Sequence, residues 1–248
     1  MLIALDIGNT AVTYGVSEKG ILKRFGSCIF NDIPKFIQNC SISGKNNQLN
    51  IIISSVVPEN TKKLADIFSS NKAFKVWVLG KNLKLTLKSK YNSKQIGIDR
   101  LVNVYGGLQF YKPPFLLIDF GTAITFDYVS PKGAFEGGMI IPGPELSFQA
   151  LIHKAARLPK QARLPLKAPH FLGTNTLDCL KTGVLEGYGA MTDELVSRFK
   201  KRFGSKLKVI ATGGFSCHLK PYSRSLKIID PKLSIRSLIS IAKDQKIF

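Results

Sequence analysis

LIALDIGNT, residues 2–10, is a short apolar run that ends in an acid, a glycine and a threonine. The pattern continues to about residue 25 as two further apolar segments separated by a polar turn, which predicts strand, turn, strand, turn, strand. FLLIDFGTA, residues 115–123, begins the same pattern, and this second copy continues to Ile141. The chain therefore carries a duplicated structural unit.

The duplicated turns have a chemistry in common. Asp6 and Asp119 each close a predicted buried strand, and a glycine follows each of them at the second position. Glycine lets the backbone approach a ligand closely, and a nearby threonine adds a hydroxyl group. Two such turns can cradle a polyphosphate while the carboxylates hold the cations that neutralise it. A purely structural interpretation, in which each Asp caps a β-turn, leaves the duplication unexplained.

Helices and strands alternate outside the two copies, which predicts an α/β fold. The elements expected between the copies are a helix over Ile33–Cys40, a strand over Asn50–Ser54, a helix after Pro58, a strand over Phe74–Leu79 and a helix over Leu101–Phe110. Those expected afterwards are helices over Pro144–Arg157 and Thr174–Phe203, strands over Leu207–Ala211 and Leu226–Ile229, and a last helix from Pro231. Leu158–Gly173 carries three prolines and predicts an irregular loop.

Composition excludes several classes of protein. Of 248 residues, 44% are hydrophobic and 21% charged, which is typical of a globular chain. No apolar run is long enough to cross a bilayer, and the N-terminus lacks the charged leader of an exported protein, so we expect a cytoplasmic protein without membrane contact. The four cysteines, Cys28, Cys40, Cys179 and Cys217, have neither disulfide nor metal-ligand spacing, and we interpret them as free thiols.

The net charge of +20 raises the question of nucleic-acid binding. The basic residues are 28 lysines and only 8 arginines, whereas readers of bases and phosphates favour the arginine fork. The densest basic stretches, Lys72–Lys94 and Arg198–Lys208, alternate with apolar residues as solvated faces do. Nucleic acid is therefore the less favoured partner.

Several catalytic motifs are absent from the sequence. There is no Gly-x-x-x-x-Gly-Lys-[Ser/Thr] loop and no Gly-x-Gly-x-x-Gly after the first strand, which argues against P-loop kinases and Rossmann dehydrogenases. The Gly-x-Ser-x-Gly motif of hydrolases is also absent, and the three histidines lack metal-ligand spacing.

Four further motifs narrow the possibilities to one family: Gly97–Arg100 (GIDR), Glu136–Gly143 (EGGMIIPG), Asn175–Thr176 and Ala211–Gly214 (ATGG). With the duplicated turns, they resemble in order and approximate spacing the type III pantothenate kinases of the acetate and sugar kinase, Hsp70 and actin superfamily. The resemblance runs from residue 1 to about residue 232. It implies an α/β fold of two related ribonuclease-H-like, actin-like ATPase domains, at residues 1–112 and 113–248, with a cleft between them. One departure is Ile235-Arg236-Ser237, which lacks the glycine usual there.

The implied reaction is ATP-dependent phosphorylation of pantothenate to 4′-phosphopantothenate, the first step toward coenzyme A. By the resemblance, Asp6 places Mg²⁺ on the ATP phosphates and Asp119 binds a monovalent cation, K⁺ or NH₄⁺. The other residues implied to contact ATP are Ile7, Gly8, Asn9, Thr10, Ala11, Val12, Thr13, Thr122, Gly213 and Gly214.

The resemblance also implies a substrate site. Asp99 is the base that faces the substrate hydroxyl, and Arg100 holds the substrate carboxylate, a task that suits the two-pronged guanidinium. Gly97, Ile98, Tyr91 and Thr176 complete the implied substrate-binding residues. Tyr91 could equally be a strand tyrosine that packs on a lysine-rich surface.

Homodimerisation is a further implication, and glycines Gly183, Gly187 and Gly189 in a helical pattern predict close helix packing that could lie between subunits. Two alternatives stay open at this point. One is a non-catalytic nucleotide-binding regulatory protein of the same fold with a basic surface for nucleic acid. The other is a related kinase for a different small hydroxy acid.

Overall fold

A computed structural model describes residues 1–42, 48–69, 71–92, 95–155, 158, 162–164 and 170–247. The chain divides into two compact units. The first comprises residues 1–112 together with 232–248, and the second comprises residues 113–231.

The first unit is built on a five-stranded mixed sheet in the order β3-β2-β1-β4-β5. Its strands are β1 (Leu2–Ile7), β2 (Val12–Glu18), β3 (Ile21–Cys28), β4 (Leu49–Ser55) and β5 (Phe74–Val78). β1 pairs antiparallel with β2 and parallel with β4. The carboxyl ends of β1 and β4 therefore meet at one edge of the sheet, with Asp6 opposite Ser54.

Helices cover the two faces of this sheet. They are α1 (Ile33–Ile42), α2 (Pro58–Ser69) and α3 (Ile98–Phe110), and a short 3₁₀ helix, Phe30–Asp32, precedes α1. Successive residues of β1 point to opposite faces, so Ile3 and Leu5 pack with α1 and α2 while Leu2 and Ala4 pack with α3. β1 is consequently buried on both faces, and Asp6 near its end is the first position where the run of apolar residues breaks.

The second unit repeats the arrangement with a five-stranded sheet in the order β10-β9-β6-β7-β8. Its strands are β6 (Phe115–Phe120), β7 (Ala123–Val129), β8 (Phe135–Pro142), β9 (Lys208–Thr212) and β10 (Ile228–Ile229). Its helices are α4 (Pro144–Lys154), α5 (Thr176–Phe203) and α6 (Ser216–Leu219), followed by a 3₁₀ helix, Lys220–Tyr222. The core lies between the sheet and helices α4 and α5, where Phe120, Phe148 and Phe199 are buried.

The last helix, α7 (Leu233–Asp244), packs with the first unit although it follows the second in the chain. Its apolar face, which includes Ile235 and Leu238, shares a core with Leu2, Ala4 and α3. The expected division at residues 1–112 and 113–248 places this helix in the second domain, whereas the compact units place it in the first. The reason is that the face of β1 covered by α3 needs a second helix to exclude water.

The two copies of the strand repeat are confirmed, since β1–β3 and β6–β8 each form an antiparallel three-stranded meander. α4 ends at Lys154 in the structure, and Arg157 at the end of the expected helix lies outside the described residues, as does half of the Leu158–Gly173 loop. The four cysteines are free thiols, as expected. In the described part of the chain, no helix is both long and apolar enough to span a membrane.

Candidate functional site

The turn after β1 is open to a ligand at its tip. The Gly8 N–H donates a hydrogen bond to the Ala11 carbonyl over 3.1 Å, and a Cβ on Gly8 would lie 3.3 Å from that oxygen. Residues 9–11 are exposed, and Gly8 and Thr13 are half-buried. Ile7 and Val12 are only 1% exposed and belong to the core, so a ligand would meet their backbone and not their side chains.

Asp6 precedes this turn in a partly dehydrated environment. Burial raises the pKa of its carboxyl from 3.8 to about 6, because loss of water disfavours the ionised form. The nearby Ser234 and Ser54 hydroxyls lower that pKa, whereas the Asp99 carboxylate raises it by repulsion. Two acids and two hydroxyl groups therefore meet at the end of β1.

The first turn of α3 supplies the second of these acids. Gly97 caps the helix without a side chain, and its carbonyl accepts the N–H of Leu101 over 3.2 Å. A Cβ on Gly97 would overlap the Asp99 carboxylate, so glycine at this position gives Asp99 its room. The positive end of the helix stabilises a carboxylate in the first turn.

Arg100 and Tyr91 are brought together beside Asp99. The guanidinium carbon of Arg100 lies 5.0 Å from the centre of the Tyr91 ring, a cation–π contact. Arg100 is 6% exposed, although an arginine is rarely so buried, and Tyr91 is half-buried. The ring limits the directions that the guanidinium can take, which prepares its planar fork for a carboxylate.

The second duplicated turn is tighter than the first. Two residues, Gly121 and Thr122, connect β6 to β7, whereas four residues connect β1 to β2. The Gly143 N–H donates a hydrogen bond to the Thr122 carbonyl over 2.8 Å, and a Cβ on Gly143 would overlap the Gly121 carbonyl. The end of the glycine-rich segment of residues 136–143 thus packs directly on this turn, and Thr122 is exposed at its tip.

Asp119 lies between this turn and the glycine pair after β9. A Cβ on Gly213 would overlap the Asp119 carboxylate, and φ at Gly213 is +87°, a left-handed value that favours glycine. The Ser216 hydroxyl donates to the Gly213 carbonyl over 2.7 Å and holds the turn. Gly214 is exposed and has no atom within 4 Å of where a Cβ would lie. A side-chain-free surface at Gly214 therefore follows the half-buried Gly213.

Thr176 is the first residue of α5 and is exposed. The helix is capped by Asn175, whose side-chain oxygen accepts the Asp178 N–H over 3.0 Å. Thr176 is thus a first-turn residue whose hydroxyl is not used as the cap.

Each unit contains some of the predicted site residues. The first holds Asp6, Tyr91, Asp99 and Arg100, and the second holds Asp119, Thr122, Gly213 and Gly214. Sequence reasoning missed Ser54 and Ser234. Ser54 could have been found from the parallel pairing of its strand with β1, whereas nothing in the local pattern indicates Ser234.

The residues around Asp6 fit a divalent cation that arrives with a nucleotide. Ser54 Oγ is fully buried beside Asp6 and makes no hydrogen bond of normal geometry to the described residues. Hydroxyl and carboxylate oxygens are hard donors of the kind that Mg²⁺ prefers. Among the described residues no group of three His, Cys, Asp or Glu forms a cage. Mg²⁺ is usually held by one or two protein carboxylates together with the phosphates of the nucleotide.

Comparisons with known proteins agree with this geometry. A family model described as type III pantothenate kinase matches residues 2–198. A protein of Syntrophus aciditrophicus named type III pantothenate kinase is 35% identical over 255 residues, which cover 98% of this chain and 99% of that protein.

Two solved structures show the same architecture. One is described as a Baf family transcriptional activator from Campylobacter jejuni, with a TM-score of 0.59 and 22% identity over 99% of this chain and all of that one. The other is an archaeal actin homologue, with a TM-score of 0.51 and 12% identity over 99% of each chain. At these identities the likeness establishes the fold alone, which is of the actin-like kind.

Proposed function

The chain belongs to the type III pantothenate kinase family, and on that premise we propose which of its residues carry the reaction. The protein transfers a phosphoryl group from ATP to pantothenate in coenzyme A biosynthesis. The observation that carries this conclusion is the match to pantothenate kinases over nearly the whole chain, with 35% identity over 98% of it. Such a transfer passes through a loose transition state, so positioning and charge neutralisation supply most of the rate.

Asp99 is the proposed base. It lies in the first turn of α3, and Gly97 leaves space next to its carboxylate. It orients the substrate hydroxyl and accepts its proton late in the transfer, when the new oxygen–phosphorus bond is largely formed.

Arg100 and Tyr91 form the proposed carboxylate-binding part of the substrate site, with Gly97, Ile98 and Thr176. The cation–π contact supports this role because it holds the guanidinium in place before the substrate binds. A bidentate Arg–carboxylate pair would then fix the end of pantothenate opposite the hydroxyl that reacts.

ATP binding is proposed to use both duplicated turns. In the first unit, Asp6 and the backbone of residues 7–13 would contact the phosphates, and a divalent metal that accompanies ATP, which we propose is Mg²⁺, would be held by Asp6. The metal supplies positive charge that neutralises the phosphates. In the second unit, Thr122 would contact a phosphate, and Gly213 with Gly214 would form the surface against which adenosine lies. The open space above Gly214 supports this assignment.

A monovalent cation, K⁺ or NH₄⁺, is the proposed ligand of Asp119. The carboxylate lies next to Gly213, and Gly121 would place a Cβ 3.9 Å from it, so no side chain at either glycine shields its oxygen.

A homodimer is proposed from the surface of the second unit. Met139 and Ile140 on the edge strand β8 are 45% and 59% exposed, and Leu146 and Leu151 on α4 are 47% and 46% exposed. Gly183 and Gly187 lie one turn apart on the exposed side of α5, with open space around both. Gly189, in contrast, packs against the Tyr222 backbone of its own chain. Apolar patches and small residues of this kind suit close packing against a second copy.

The non-catalytic alternative is not favoured. The likeness to a protein described as a transcriptional activator is at 22% identity and concerns the fold. The retained acids Asp6, Asp99 and Asp119 serve phosphoryl transfer and would be unnecessary in a protein that only binds. The use of ATP as a substrate also supports the cytosol as the proposed compartment.

The test is ADP release from ATP with Mg²⁺ and a K⁺ or NH₄⁺ salt, with and without pantothenate. We expect pantothenate-dependent turnover that falls about 10²-fold or more in kcat for Asp99→Asn, with nucleotide affinity retained. Asp66→Asn is the matched control, because Asp66 is an exposed acid on α2 away from these residues. Near-normal kcat in Asp99→Asn would remove Asp99 from the role of base. Absence of pantothenate-dependent turnover in the unaltered protein would contradict the substrate.

A further inference from the structure

A tyrosine in the middle of α5 reaches the end of β8. The Tyr188 hydroxyl donates a hydrogen bond to the Pro142 carbonyl over 2.8 Å and lies 2.6 Å from the Ser147 hydroxyl. A carbonyl can only accept, so the single hydroxyl proton of Tyr188 goes to Pro142, and Ser147 donates to Tyr188. These three residues belong to β8, α4 and α5, and the two hydrogen bonds therefore join three elements of the second unit at one point.

The Tyr188 hydroxyl has a fixed place. Its ring packs against the core of the second unit. The Thr192 hydroxyl donates to the Tyr188 carbonyl over 2.7 Å, and a Cβ on Gly189 would overlap the Tyr222 backbone, so α5 is in close contact with its surroundings here. Because the ring and the backbone are both confined by packing, the hydroxyl cannot move away from Pro142 without a shift of the helix.

The residue after Pro142 connects this point to the second duplicated turn. Gly143 is buried, and its N–H donates to the Thr122 carbonyl over 2.8 Å. A Cβ on Gly143 would overlap the Gly121 carbonyl, so the two backbones are in direct contact. The Gly143 carbonyl in turn accepts the Ser147 N–H over 3.0 Å. A displacement of residues 142–143 would therefore displace the turn of Gly121 and Thr122.

That turn depends on its backbone neighbours. Residues 121–123 are exposed, so the core of the unit does not enclose them. A group that binds a ligand must be held within about 0.5 Å of the productive geometry by its surroundings. A turn that is already ordered before the ligand arrives also lowers the entropic cost of binding.

We propose that Tyr188 is a positioning residue of the kinase, which holds the Gly121–Thr122 turn in place for the phosphates of ATP by way of Pro142 and Gly143. The proposal rests on the proposed contact of Thr122 with a phosphate. It gives α5 two tasks, because Thr176 at its first position belongs to the proposed substrate site and Tyr188 lies about three turns later.

The test measures affinity for the non-hydrolysable β,γ-imido analogue of ATP by calorimetry with Mg²⁺. Tyr188→Phe removes only the hydroxyl, and we expect it to weaken binding about three- to tenfold, the usual effect of one hydrogen bond. If Tyr188 acts through the turn, the same substitution in a Thr122→Ala protein should weaken binding less than about twofold, since the two changes affect one contact. In turnover, the KM for ATP should rise while the KM for pantothenate stays constant.

Tyr128→Phe is the matched control. It makes the same change in the same unit, but Tyr128 lies near the far end of β7 from Thr122, where its ring stacks on Phe203 with ring centres 4.0 Å apart. We expect its affinity for the analogue to match that of the unaltered protein.

Three results would overturn the proposal: equal affinities in Tyr188→Phe and the unaltered protein, equal losses in Tyr188→Phe and Tyr128→Phe, or an undiminished loss in the Thr122→Ala protein. Binding of the analogue does not require pantothenate. A protein that shows the Tyr188 effect and its dependence on Thr122 without pantothenate-dependent turnover would therefore support this proposal and contradict the substrate.

Discussion

Replacing Asp6 by asparagine should stabilise the protein while it abolishes the reaction. The carboxylate is ionised at neutral pH in a place where burial and Asp99 oppose its charge, and Ser234 and Ser54 compensate only in part. Asparagine has nearly the same shape and retains an oxygen that can accept a hydrogen bond, but it carries no charge. The variant therefore removes an unfavourable charge from the fold together with the ligand of the nucleotide's cation.

The expected gain follows from the pKa of Asp6. A rise from 3.8 to about 6 corresponds to about 3 kcal/mol of unfavourable free energy in the ionised form. The native state holds the proton more tightly than the unfolded chain, so the contribution of this group to stability falls as the pH rises from about 4 to about 6. The full unfavourable contribution of Asp6 to the free energy of folding is present at pH 8, and about a third of it is present at pH 4.5. Asparagine itself pays for burial of its amide, so we expect a gain of about 1–2 kcal/mol at pH 8.

Urea unfolding of both proteins at pH 8 and pH 4.5 measures this gain. Asp193→Asn provides a control of opposite sign. Burial alone would raise the pKa of Asp193, but hydrogen bonds from Ser223 and from the N–H groups of Arg224 and Ser225 lower it, so its ionised form stabilises the fold. That variant should lose about 1–2 kcal/mol at pH 8, and the loss should fade as the pH drops through the lowered pKa. An Asp6→Asn protein less stable than the unaltered one at pH 8 would refute the reasoning.

Four further substitutions test the rest of the site. Gly214→Ala should weaken ATP binding and change the free energy of unfolding by no more than about 0.5 kcal/mol. Gly213→Ala should lower the free energy of unfolding, measured in urea, by about 2–3 kcal/mol or more, because its Cβ would meet Asp119 at a left-handed φ. Equal effects of the two variants on stability would contradict this. Arg100→Lys should raise the KM for pantothenate about tenfold with little change in the KM for ATP, since lysine lacks the fork; an unchanged KM for pantothenate would argue against the carboxylate role. Asp119→Asn should abolish stimulation of turnover by K⁺ or NH₄⁺ and leave Mg²⁺-dependent ADP binding intact, and persistent stimulation would place the cation elsewhere.

The sequence predicted the parts of the fold that are encoded locally. The duplicated meander could be found because its strands are short, apolar and separated by glycine turns, and all six strands are present. The helix that begins at Ile98 and the one that begins at Thr176 start within a few residues of the expected positions. In these elements, periodicity and turn chemistry lead to the same structure as the tertiary packing.

The contacts that join distant parts of the chain were not predictable in this way. α7 is amphipathic, and any apolar face of a sheet would suit it, so its pattern does not say which unit it covers. α7 lies against β2 and α3 at Gly15 and Gly106, which lack side chains, and such absences leave no periodic signal. The position of Ser54 could have been predicted in part, since the register between β1 and β4 places it opposite Asp6 once parallel pairing is assumed.

The carboxylates of Asp6 and Asp99 explain why the site should bind a nucleotide together with its cation. In the free protein, burial and repulsion oppose the charge on Asp6, and these are the conditions that a bound cation reverses. Part of the favourable free energy of binding is therefore relief of an unfavourable state of the fold, limited to about 3 kcal/mol by the pKa of Asp6. A proton can relieve the same state, so proton and cation compete for one carboxylate below about pH 6. The Ser234 and Ser54 hydroxyls lower the pKa of Asp6 and so reduce the advantage of the proton over the cation.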